Sequence, residues 1–260
     1  MPSTSPRSPA DVSVILIGHD QDVLIHGSIV SAERAAERAR ARGLSVELIL
    51  LLRDPTPALA RWSADRIGTS WRVLTSSAQD HGVAHNEAIA ASGGRYLAWI
   101  DGWDLWSENW IEAAVLAAER APAAAVWHPE AVVRFGQNFF STQGYALLWQ
   151  PDGAAGEIDY AALLDEDPYP TGPFAARSLF DEIPFPTEDA ARGWAEACWW
   201  WTCNVAGAGY HHAVVRETFH YQRMDRANQR RSAPQRPAKT RIGPTPLSRA
   251  QAPVGGRENG

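Results

Sequence analysis

Three short apolar runs constrain this chain more than any other feature: VSVILI at residues 12–17, SVELILLL at 45–52 and YLAWI at 96–100. Each has the length of a strand and is apolar nearly throughout, as expected of strands covered on both faces. Helix-forming stretches separate them. The Ala, Glu and Arg of SAERAAERARAR predict a helix over about 23–42 that Gly43 stops, and a second follows over about 58–66. A short strand at 71–75 leads to a third helix, entered at Gly82 and closed by Gly93 and Gly94. Strand and helix alternating in short steps imply an α/β fold, a mostly parallel sheet with helices on its faces and right-handed crossovers.

Two of these runs end on an acid. YLAWI stops at Asp101, and the chain turns through Gly102 to a second carboxylate, Asp104; SVELILLL runs into Arg53 and Asp54. Open α/β sheets bind ligands beyond the carboxyl ends of their strands, so these acids are candidates for holding a cation or a sugar hydroxyl. An aspartate at a strand end is equally a turn former or helix cap, and the spacing alone does not choose. Beyond them the pattern predicts a helix over 107–120 and strands at 123–127 and 131–135. A further helix is predicted over 188–207 with Thr187 as its N-cap, then a last strand from Tyr210. Residues 136–187, rich in Gly, Pro, Asp and aromatics, lack periodicity and read as functional surface rather than core.

The 260 residues suit one large domain over 11–222, between a polar, proline-rich leader at 1–10 and a basic tail at 223–260. Net charge is −6, but the tail carries nine Lys/Arg against Asp225 and Glu258, leaving −13 on the body. So acidic a body argues against nucleic-acid binding, which rests on phosphate neutralisation. No apolar run approaches the roughly 20 residues of a membrane span, and the start lacks a signal-peptide core. Cys198 and Cys203, the two cysteines, are too few and too close for a disulfide framework, which suits a reducing cytoplasm. The twelve tryptophans are core candidates, or platforms for sugar or nucleobase faces.

Four segments in order, VSVILIGHDQ, VELILLLRDPTP, HGVAHNEAIAASGGRYLAWIDGWDLWSENWI and WWWTCNVAGAGYHHAVVRETFHYQR, resemble the GT-A (Rossmann-like) fold of the family 2 glycosyltransferases. The resemblance implies inverting transfer of a sugar from a nucleotide-diphosphate donor to an acceptor hydroxyl. It places Asp54 at the donor nucleobase, His85 and Asn86 in the donor-binding Arg-Asn element, and Asp101 on the first acid of the Asp-x-Asp element that holds Mg²⁺ or Mn²⁺. Asp104 stands where a further acid is common, and His220 falls near a position that adds a metal ligand in some members.

The departures are specific. The second metal acid is Trp103, and the usual arginine is His85. The general base of the family's Glu-Asp pair falls, counting back from Tyr210, on Cys198. Three readings stay open: Glu196 serves instead; the pair Glu188-Asp189 serves from a rearranged helix start; or the base is lost and the domain is an inactive module binding a nucleotide, a glycan or a protein. A basic tail folding back over the diphosphate, through Arg223, Arg226, Arg230, Arg231, Arg236, Lys239 and Arg241, is a further expectation, beside a solvated tail. Disorder is expected from Ser248 onward.

Overall fold

The computed structural model describes residues 10–19, 24–121, 125–136, 146–156, 158–159, 162–193, 196–224 and 242–250. Residues 1–9 of the leader, the tail cations Arg226, Arg230, Arg231, Arg236, Lys239 and Arg241, and residues 251–260 lie outside them.

The first half is built as the pattern predicts. Strands β1 (Val12–Gly18), β2 (Val46–Arg53), β3 (Trp71–Ser76) and β4 (Tyr96–Asp101) alternate with helices α1 (Ile25–Ala41), α2 (Pro57–Arg66) and α3 (His81–Ala91). They pair in parallel in the order β3-β2-β1-β4. Both faces of these strands are covered, which accounts for their unbroken hydrophobicity. Val14, Leu16, Leu50 and Ile100 pack with α1 and with α4 (Trp110–Arg120) on one side. Ile15, Ile49, Leu97 and Trp99 pack on the other side with α3, α5 (Arg177–Glu182) and α6 (Ala197–Gly207). Local capping sets the helix starts: Thr56 Oγ1 accepts the Leu59 N–H at 3.1 Å with Pro57 in the first turn, and Asp80 Oδ1 accepts the Val83 N–H at 2.8 Å.

The second half continues the sheet with mixed direction, in the order β4-β8-β6-β9-β5. The two strands expected at 123–127 and 131–135 are one strand, β6 (Ala125–Phe135), whose register shifts between Pro129 and Ala131, so a bulge accommodates the proline. It pairs in parallel with β9 (His211–Arg223) and antiparallel with β7 (Ala146–Trp149) and β8 (Phe174–Ala176). The two-residue β5 (Leu105–Trp106), unpredicted, delays α4 to Trp110.

The expected helix over 188–207 begins only at Ala197. Gly193 and Glu196 both take left-handed backbone (φ 70° and 63°), which breaks the helix, and residues 190–192 form a short 3-10 turn instead. The chain after Ile242 was expected to be disordered from Ser248; it forms a short helix, α7 (Pro246–Ala250), packed on α6 through Leu247, Cys203 and Ala206.

Between Asp167 and β8 the chain passes so close to β4 that a Cβ on Gly172 would meet the Trp99 carbonyl. Backbone cannot yield as a flexible side chain does, so Gly172→Ala should cost about 1–3 kcal/mol. A lowered urea midpoint with an unchanged slope is the expected result; an unchanged midpoint would show that the two segments separate freely.

Candidate functional site

In the order β3-β2-β1-β4 the crossovers from β1 leave in opposite directions, to β2 on one side and, by way of β3, to β4 on the other. Loops diverge at such a switch point and leave a crevice beyond the strand ends. Here it is a cleft of about 630 Å³, lined among others by Ile17 near the end of β1, His19 just after it, Arg53 at the end of β2, and Ile100 and Asp101 at the end of β4. His19 Nδ1 lies 2.7 Å from the Arg53 carbonyl and 3.1 Å from that of Asp54, tying the first two strand ends together.

Of the residues singled out from sequence, the cleft gathers His85, Asp101, Asp104, Glu196 and the substitutions Trp103 and Cys198. Asp54, Asn86, Glu188, Asp189 and His220 are not in its lining. Asp54 is exposed at the end of β2 with φ 41°. Asn86 spends its amide on the backbone of Phe185, donating to the carbonyl at 2.9 Å and accepting the N–H at 3.0 Å. Glu188 Oε1 accepts the Ala197 N–H at 3.2 Å, so this carboxylate serves the N-terminus of α6 from outside the helix. Asp189 accepts the Arg192 N–H at 3.2 Å and caps the 3-10 turn.

Asp104 and His220 are buried together, with His220 Nε2 donating to Asp104 Oδ2 at 2.8 Å; Asp104 Oδ1 accepts the Arg223 N–H at 3.1 Å. Asp101 Oδ1 accepts the Trp103 N–H at 3.1 Å, and Trp103, where a second metal acid would stand, is buried. A hard divalent cation seeks about six oxygens. Among the described residues no group of three or more His, Cys, Asp or Glu side chains is placed to hold a metal ion. The expected set Asp101, Asp104 and His220 therefore does not fit Mg²⁺ or Mn²⁺: His220 is turned to Asp104 outside the cleft lining, which leaves two carboxylates where such a cation seeks about six oxygens.

At the expected base position the chemistry is that of a protonated thiol. Cys198 Sγ lies 3.8 Å from His85 Nε2, and His85 Nδ1 donates to the His81 carbonyl at 2.6 Å, which leaves Nε2 to accept. Burial between Trp99 and Phe185 pulls His85 down to about 4, so it stays neutral. Cys198 is exposed on the cleft wall, and crowding by the surrounding chain, then the charges of Asp167, Glu196, Glu188 and Asp101, push its thiol up. The pair holds its proton on sulfur.

The carboxylates that sequence reasoning missed are Asp165, Glu166 and Asp167, all lining the cleft. Their only signal was an acidic triplet inside an aperiodic stretch. They follow a 3-10 turn, Ala162–Leu164, whose Leu163 carbonyl accepts the Trp199 indole N–H at 2.8 Å and lies 3.4 Å from Cys203 Sγ. That fastens the loop to α6 at the residue after Cys198 and again one turn further on. Asp167 Oδ1 accepts the Tyr169 N–H at 3.0 Å, and burial, with Glu196 and Glu166 adding like charge, raises Asp167 to about 7.

Behind this wall Tyr169 stacks on His128 (3.9 Å between centroids), and His128 Nε2 lies 2.9 Å from His212 Nδ1, joining β6 to β9. Burial lowers His212 to about 4 and His128 well below its ordinary 6.5. His85, His128 and His212 each bind a proton in the unfolded chain before they do in the folded one. Their contribution is whole above about pH 6.5 and declines as pH falls toward 4. Asp167 and Glu188, raised in the fold, act oppositely, and three groups outweigh two. The melting temperature should therefore be lower at pH 5 than at pH 7; an equal or higher value at pH 5 would contradict the neutral burial of these histidines.

The glycosyl transferase family 2 pattern matches residues 44–183, from just before β2 to the end of α5. Among solved structures, TarS 1-349 of S. aureus in complex with UDP-GlcNAc superposes with a TM-score of 0.57 at 14% identity, covering 86% of this chain and 61% of that one. The mannosyltransferase PcManGT of Pyrobaculum calidifontis, in complex with GDP-Man and Mn²⁺, gives 0.54 at 14% identity, covering 86% and 60%. The chain thus spans about three fifths of the length of these structures, and their likeness shows a shared GT-A fold. No curated protein matches. Because the family pattern takes in more than half of the chain and centres on the strands that form the cleft, the protein belongs to glycosyl transferase family 2.

Proposed function

We propose that this protein transfers a sugar from a nucleotide-diphosphate donor to an acceptor hydroxyl with inversion, with the donor lying across the ends of β1, β2 and β4. One observation carries the reading: the switch-point cleft is lined by both guanidiniums and carboxylates. Its guanidiniums, Arg53, Arg134 and Arg223, come from the strand ends of β2, β6 and β9. Its acids include Asp101, those of the 165–167 loop and Glu196 before α6, and of these Asp167, Glu196 and Asp101 act on Cys198. Diphosphate suits the first group and sugar and acceptor hydroxyls the second.

In this reading Asp54 takes the nucleobase beside the His19 tie, and Asp101 accepts a hydrogen bond from a donor hydroxyl. His85 and Asn86 form the floor beneath, the first by stacking and the second by bracing Phe185. The neutralisation that Mg²⁺ or Mn²⁺ supplies in the family falls here to the guanidiniums, and no step is assigned to a cation. The donor is of the class that TarS and PcManGT bind, UDP-GlcNAc or GDP-Man. Both cysteines are free thiols, as the cytoplasmic reading expects, and among the described residues no helix is long and apolar enough to cross a membrane.

A second reading, an inactive GT-A module, is favoured by the protonated thiol at the base position. Calorimetric titration of the full chain with UDP, GDP, UDP-GlcNAc and GDP-Man, each with and without Mn²⁺, tests the donor site. Binding of one nucleotide series is expected. Asp101→Ala should weaken the sugar nucleotide about tenfold, the size of a lost charge-assisted hydrogen bond. Failure of all four to bind would refute the donor reading, whereas binding without sugar release under any condition would favour the inactive module.

A further inference from the structure

Resting on the proposed transfer reaction, we propose that Asp167 is the group that takes the acceptor hydroxyl's proton, replacing the acid absent at position 198. Inverting transfer needs a carboxylate facing the acceptor. Cys198 cannot serve, since its thiol keeps its proton, and Glu188 and Asp189 are committed to the α6 N-terminus and to a 3-10 turn.

Asp167 meets the geometric demands. It lines the same cleft as Cys198, half-buried, on the loop that Trp199 fastens to α6 beside the vacated position. Its loop is held at both ends. The Leu163 carbonyl is tied to Trp199 of α6, and Tyr169 is clamped by its stack on His128 and by its hydroxyl donating to the Pro151 carbonyl at 2.7 Å. The Tyr169 N–H fixes one carboxylate oxygen. Asp165 and Glu166 are exposed and lack this bond. Glu196, on the facing wall, supplies like charge that favours the proton on Asp167, whose titration near 7 suits a base working at neutral pH.

The step balances. As a lone pair of the acceptor oxygen forms the bond to the anomeric carbon, the hydroxyl proton passes to the Asp167 carboxylate. The bond from that carbon to the phosphate oxygen breaks, and its electron pair leaves with the nucleoside diphosphate.

Water can stand in for the acceptor, so the experiment follows release of UDP from UDP-GlcNAc and of GDP from GDP-Man by the full chain. Asp167→Asn should lower the turnover rate a hundredfold or more with nucleotide affinity changed less than threefold, and should erase a rate limb near pH 7. Adding Cys198→Asp to that variant returns an acid to the facing wall and should recover at least tenfold; Asp167→Ser replaces the amide should the latter fail to fold. Turnover of Asp167→Asn within threefold of wild type, or a surviving pH limb, overturns the assignment. Wild-type protein that binds nucleotide without releasing it from either sugar also overturns it while leaving the donor site standing. Protein that neither binds nor turns over either donor fails the transfer reading itself.

Discussion

Everything in this molecule is placed by the pairing of β1 with two parallel neighbours. A strand flanked in parallel by β2 and β4 cannot reach either by a hairpin, so the chain must cross the sheet twice. Right-handed crossovers in opposite directions put α1 on one face and α3 on the other, and each face then has its own apolar cluster. The same divergence opens the space beyond β1 and β4. Asp101, Arg53 and His19 reach the cleft because they are the residues at which those strands end.

Within that space proton affinity is graded by burial and charge. His85 has lost its basicity to desolvation and Cys198 its acidity to crowding by the chain and surrounding carboxylates; Asp167, at about 7, stands between them. At neutral pH the histidine is empty and the thiol full, and the aspartate is able to exchange. A histidine beside a cysteine has the composition of a nucleophilic pair, but activation of a thiol needs a positive or strongly basic neighbour. Here the neighbours are negative, and the basic atom beside the sulfur, His85 Nε2, is too weak.

Legibility in the sequence followed the strength of periodicity. The strands β1, β2 and β4 announced themselves because burial on both faces leaves no room for polar residues, and α1 and α3 because glycine marks their ends. The β6 strand was split because Pro129 reads as a breaker, yet a bulge lets it stay within the ladder. The start of α6 was placed nine residues early because Thr187, Glu188 and Asp189 look like a cap with first-turn acids. In the fold those acids satisfy other donors, and Gly193 was the overlooked signal. Asp101, His85 and Glu196 were found at the cleft by spacing within a familiar order of elements. Asp167 could not be, since its place depends on contacts such as Trp199 with Leu163 that have no sequence pattern.

The three consecutive tryptophans of α6 explain why the base position could change without disturbing the helix. At about 100° per residue they reach three different partners. The Trp199 indole donates to the Leu163 carbonyl, that of Trp200 donates to the Pro244 carbonyl at 3.4 Å, and Trp201 stacks on Phe180 with centroids 4.9 Å apart. These contacts fix the rotation of the helix, and with it the direction of residue 198, whatever that residue is. The field there is already set by Asp167, Glu196, Glu188 and Asp101. A further carboxylate in their midst would either take up a proton or repel its neighbours. An acid on the 165–167 loop and a neutral side chain at 198 are therefore two aspects of one electrostatic arrangement. On the proposed assignment, the group that exchanges a proton with the acceptor stands on the loop that the helix holds and not on the helix itself.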